Sequence, residues 1–218
     1  MTTDDTPSSM PRWVRKLLIP ALTGGVAGFA ASAGVMHFID SSAVGGLTAS
    51  ATFAALVGAV YLLIGFSLVI GTASPQMGAK FLNVEDADEL REQKQVLSLS
   101  GWAMALWGAA LLVLALAAPD GPVPQAAALV VGLVGLVIGT VLSVLVYRAS
   151  DELMLAVNLE AGALSYGLTF VTIGGWAMAA HLGYCPAPQP LDLLSLFYVL
   201  VLLASFIAVG RRGMLAIR

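Results

Sequence analysis

The chain has 218 residues, 59% of them hydrophobic and 11% charged, with a net charge of −3 and a mean hydropathy of +0.91. Soluble proteins carry about 25% charged residues, so a water-soluble fold of this length is excluded and lipid is the expected solvent. Nucleic-acid binding is excluded too, because no basic patch with interleaved aromatics is present, and the single cysteine, Cys185, leaves no intramolecular disulfide or CxxC site.

Residues 1–16 form a polar and basic tail: Pro7 and Pro11 mark it as disordered, and Arg12, Arg15 and Lys16 close it. Six apolar runs follow in one transmembrane domain, 17–210, at about 17–39, 47–72, 96–118, 125–147, 154–182 and 191–210. A helix needs roughly 20 residues to cross a ~30 Å hydrocarbon core, and each run meets that length. An acidic loop, 73–95, separates the second and third runs. Its stretch from Asn83 to Gln95 reads as a helix that continues into the third span, with acidic residues in the first turns, where the helix dipole favours them. Pro119-Asp120-Gly121-Pro122 breaks the chain before the fourth run. Arg148 and Ser150-Asp151-Glu152 separate the fourth from the fifth, and a proline-rich turn, Cys185 to Pro190, precedes the sixth. Residues 211–218 form a basic C-terminus.

Threaded this way, all ten Lys and Arg residues fall on one side of the membrane: Arg12, Arg15, Lys16, Lys80, Arg91, Lys94, Arg148, Arg211, Arg212 and Arg218. Cytoplasmic loops attract Lys and Arg. The prediction is an all-α integral membrane bundle of six transmembrane helices in a bacterial-type inner (plasma) membrane, with both termini cytoplasmic. The first run also resembles a signal peptide, with Ala31-Ser32-Ala33 before Gly34 as its cleavage site. Thr23-Gly24-Gly25 interrupts its apolar region and the run continues past the site, which favours a retained helix.

Small residues recur at helical spacing. The first run carries Gly24 and Gly28, Ala27 and Ala31, and Ala30 and Gly34; the second carries Ala51, Gly58, Gly65 and Thr72, each seven apart. Gly101, Ala105 and Ala109 mark the third, and Gly135 and Gly139 the fourth. Close backbone approach through small residues is what draws helices together in lipid. These stripes read as seams inside the bundle, with the first helix the best placed to dock a partner.

The fifth run is the richest in candidate chemistry. At about 100° per residue, Asn158, Gly162, Ser165, Thr169, Thr172 and Trp176 share one face, and Glu160, Gly167, Gly174 and His181 the opposite one. Two non-lipid faces predict a helix at the centre of the bundle. An ionisable group inside a membrane is a functional hypothesis by default. Glu160, with Asn158, Ser165, Tyr166, Thr169 and Thr172 beside it, is therefore the candidate ligand, proton or ion site. The bland reading places Glu160, only nine residues after Asp151, at the membrane interface. At the outer ends, His37 and Asp40, three apart, and His181 and Cys185, four apart, supply ligand types that suit a transition metal. Asp40 and Asp192 also suit helix caps.

No G-x-x-x-x-G-K-[ST] phosphate loop, H-E-x-x-H zinc motif or G-x-S-x-G elbow is present. No catalytic constellation emerges; an enzyme would need an outer-face site built on His37 and His181. The cofactor, if the chain uses one, is not identified by any motif. The outline of six short-looped helices, with a small-xxx-small first helix, resembles in architecture the substrate-binding subunits of energy-coupling-factor vitamin transporters. The expectation is a non-catalytic subunit of a membrane complex, with the lipid bilayer and a membrane protein, or further copies of itself, as partners. The alternative is a small-solute or ion-coupled carrier built on Glu160 and the polar face of the fifth helix.

Overall fold

The computed structural model describes residues 33–34, 37, 46–73, 93–119 and 121–214. Five α-helices account for most of them: α1 (Ala49–Ala73), α2 (Lys94–Ala115), α3 (Gln125–Ala149), α4 (Glu152–His181) and α5 (Pro190–Arg211). Each is long and apolar enough to cross a membrane, and among the described residues there is no strand, only a single bridge between Ala117 and Val123. These are the second to sixth runs of the sequence. The first run, the basic tail, the C-terminus beyond Met214 and most of the acidic loop lie outside the described residues, apart from Ala33, Gly34 and His37, which are helical. The helix expected from Asn83 lies there too.

The helix ends differ from expectation by a few residues, for local reasons. The third run stops as a helix at Ala115 rather than 118, because the chain turns back on itself: Ala118 N–H donates to Val123 O at 2.8 Å and Val123 N–H to Leu116 O at 3.0 Å. The fifth run starts at Glu152 because Asp151 caps it, its Oδ1 accepting from Met154 N–H at 2.7 Å.

Neighbouring helices pack in the order α3, α2, α1, α5, α4. The α1–α2 seam is made of glycine. A Cβ on Gly58 would lie 2.8 Å from Gly108 O, and one on Gly65 would lie 2.6 Å from Gly101 O. The contact is reciprocal, since a Cβ on Gly101 or Gly108 would lie 2.8 Å from Gly65 O or 2.7 Å from Gly58 O. Residue numbers rise on one helix as they fall on the other, so the pair is antiparallel. Ala51, Gly58, Gly65 and Thr72 all lie buried in α1. Dispersion and close backbone contact, rather than expulsion of water, hold such a seam in lipid.

The core lies between α1, α2 and α5, around Ala54, Tyr61, Leu111, Ala115 and Tyr198. Tyr61 Oη donates to the backbone carbonyl of Tyr198 at 2.7 Å, and the two rings tilt against each other with centroids 4.9 Å apart. That bond ties α1 to α5 in a setting where an unpaired hydroxyl is costly. Lys94, Arg148, Arg211 and Arg212 all lie at one end of the bundle, called the basic end below; the described turns at the other end contain no Lys or Arg.

Candidate functional site

Helix α4 carries most of the candidate residues, and its position follows from both of its ends. Asp151 caps the start. At the far end the chain leaves through Gly183 at φ +80°, a left-handed conformation that glycine adopts without strain, with Tyr184 N–H donating to Ala179 O at 2.9 Å. The Trp176 indole N–H donates to Pro186 O at 3.0 Å and braces the turn. The next helix begins with a capping box, in which Gln189 N–H donates to Asp192 Oδ2 at 2.8 Å. Asp192 is thus a cap.

The central placement expected for this helix does not hold among the described residues. Over 30 residues only Val157 is buried, and α4 packs chiefly against α5. The reason is geometric. A helix resting on one neighbour buries a single stripe, here the line of Val157, Ala161, Leu164 and Leu168, which runs between the polar face and the glycine face. Neither predicted face is the packed one.

Glu160 lies near the basic end. Its Oε2 accepts from Arg212 Nε at 3.0 Å and its Oε1 is 3.7 Å from Arg211; the carboxylate side chain is 28% exposed. It clamps the start of α4 to the end of α5. The other candidates do not gather around it. Asn158 is exposed and makes no side-chain hydrogen bond among the described residues. Ser165 Oγ donates to Gly162 O on its own helix at 2.9 Å. Thr169 Oγ1 is buried without a partner, Thr172 is exposed, and Tyr166 is 75% exposed and stacked beside Phe170. His37 and His181 are exposed, and Cys185 is half-buried with Sγ 4.0 Å from Trp176 O. Asp40 lies outside the described residues. Among the described residues no three of His, Cys, Asp and Glu come together.

The predicted packing glycines divide in two. Gly58 and Gly65 sit in the α1–α2 seam. Gly135 faces the Leu106 carbonyl and Ala110 across α2–α3, and the Trp107 indole lies directly against Gly139. Gly24, Gly28, Ala27 and Ala31 lie outside the described residues. In contrast, a Cβ on Gly162, Gly167, Gly174 or Gly175 of α4 would meet nothing within 4 Å.

Sequence reading passed over one feature, a cavity of about 360 Å³ reached by all five helices and lined by residues that include Tyr61, Trp107, Ser143, Tyr147 and Asn158. Signals for it were available. Tyr61 stands three residues after Gly58 and four before Gly65, on the small-residue face of α1. The four-residue row of Gly135 and Gly139 continues to Ser143 and Tyr147. Compared with protein families, with curated proteins and with solved structures, the chain matches none.

Proposed function

We propose that the chain is a six-span inner-membrane protein with both termini cytoplasmic, acting as a non-catalytic subunit of a membrane assembly that it joins through α4. The observation that carries this reading is the contrast between the two outermost helices. Only four residues of α3 and one of α4 are buried. Yet the most apolar stretch of α3 has a mean hydropathy of 2.8, and that of α4 only 1.3. The outward side of α3 is aliphatic, as lipid requires. The exposed surface of α4 includes Asn158, Gly162, Gly167, Thr172 and Gly175, groups that gain little from acyl chains and much from a neighbouring backbone. The orientation is supported by the ten-to-none division of Lys and Arg along the sequence.

The test is photo-crosslinking in the native membrane. A benzophenone amino acid replaces Thr172 on α4 or, as the comparison, Val137 on α3. Adducts to a second polypeptide, or to a second copy of this chain, from position 172 and lipid adducts alone from position 137 are the expected result. Lipid adducts alone from both positions overturn the reading. So does an internal cross-link from position 172 to residues 17–39, which would assign the α4 face to the chain's own first span.

A further inference from the structure

Helices α3 and α4 are joined by only two residues, Ser150 and Asp151, yet they pack against different partners, α2 and α5. The connected ends stay together while the helices do not pair along their length. The cavity of about 360 Å³ lies inside the resulting arc. Tyr61, halfway along α1, is about 18 Å from the start of its helix; Ser143 and Asn158 are each about 10 Å from the turn that joins α3 to α4. The space therefore runs from mid-depth toward the basic end, with its open side between α3 and α4.

The lining has a consistent chemistry. Among the described residues it contains no Asp, Glu, Lys, Arg or His, so none of these compensates a charge on an occupant, and a charged occupant would be costly at that depth. Three aromatic rings contribute, those of Tyr61, Trp107 and Tyr147, which suits a flat ring system. Two of its hydroxyls are already used, Tyr61 Oη donating to Tyr198 O and Ser205 Oγ to Val201 O, and other polar groups are left to meet an occupant. Ser100, Ser143 and Asn158 make no side-chain hydrogen bond among the described residues, and the Trp107 indole N–H is buried with no acceptor. A buried N–H is nearly always satisfied, which makes the indole the sharpest demand; Ser100 and Ser143 are half-buried and Asn158 is exposed. The volume falls within the range of about 300–1,000 Å³ typical of small-molecule pockets.

We propose that this cavity binds one neutral, flat, membrane-soluble ring molecule bearing hydrogen-bond-accepting oxygens, of the quinone class, admitted from the bilayer between α3 and α4. Uncharged carbonyl oxygens match the unpartnered donors, the ring matches the aromatic walls, and an opening between two apolar helices matches a ligand that partitions into lipid. The site is independent of the assembly face: Asn158 borders both, but the cavity needs no second polypeptide.

The test is equilibrium dialysis of the purified full chain in detergent micelles against menadione, a quinone ring without an isoprenoid tail, with protein-free micelles as the partition control. Saturable binding of one menadione per chain is expected. Ser143→Phe, which fills the cavity, should weaken it at least tenfold, and Asn158→Leu, which removes one donor, about fivefold. Each variant is first checked against the wild type for elution volume and melting temperature. Should Ser143→Phe fail that check, Asn158→Leu decides alone, since it alters an exposed side chain. Uptake no greater than that of empty micelles overturns the proposal, as does equal binding by wild type and both variants. Phospholipid retained at one per chain and not displaced by menadione overturns it as well, by assigning the space to lipid.

Discussion

Helices α3 and α4 are the outermost of the five described helices, and they meet their surroundings in different ways. Leu129, Val130, Leu133, Leu136, Val137 and Val141 of α3 point outward, while its glycines 132, 135 and 139 turn inward onto α2. Its apolar and small residues are sorted by face. In α4 they are mixed. Leu159, Tyr166, Phe170 and Met178 are exposed alongside Gly162, Gly167 and Thr172, and the α4 glycines touch nothing among the described residues. Sorting of this kind shows which seam is complete. A glycine used inside the bundle has a neighbour's backbone against it, whereas one in open space contributes nothing to the isolated chain and costs helix propensity.

The contrast can be broken most severely at Gly139. Replacement by Leu has no room beside the Trp107 indole; about 3 kcal/mol of stability should be lost, read as a fall of roughly 6–12 °C in melting temperature in detergent. The matching change on the other helix, Gly167→Leu, should leave that temperature within about 2 °C, because the added side chain meets open space. In the native membrane Gly162→Leu, on the same face as Thr172 and likewise in open space among the described residues, should abolish the protein adducts formed from position 172. A large thermal loss from Gly167→Leu would mean that α4 is already packed on that side and would end the comparison. Tyr61→Phe removes the bond to the Tyr198 carbonyl and should cost about 1 kcal/mol, or roughly 2–4 °C; no change would show that the two rings alone hold α1 on α5. Glu160→Gln should have the smallest effect. Its ion pairs are partly exposed, and such pairs are worth about 0–1 kcal/mol. A larger loss, or loss of a transported solute, would return Glu160 to the centre of the functional question.

Much of the architecture was legible because it is local. Five of the apolar runs coincide with helices to within a few residues, since the length of an apolar stretch and its turn chemistry act within one segment. The same holds for caps such as Asp192, and for the seven-residue spacing of Ala51, Gly58, Gly65 and Thr72, whose members lie on one buried face. The cavity was less legible. Its walls come from five helices, and no single stretch of sequence brings Tyr61, Ser143 and Asn158 together. The polar stripe of α4 was visible as a pattern, but only Asn158 of it reaches the cavity, and Glu160 is drawn to the basic end by Arg212.

Hydropathy, turn residues and caps operate over a few neighbours along the chain, so the apolar character and the five described helices could be read from it to within a few residues. Which small residues form seams depends on how the helices pack in three dimensions. Gly65 and Gly167 are the same chemical group on two apolar helices; one faces the Gly101 carbonyl at a distance that excludes a methyl group and the other faces nothing among the described residues. That difference lies in which helices become neighbours, a property of residues far apart in sequence, and it is where the function of this protein has to be sought.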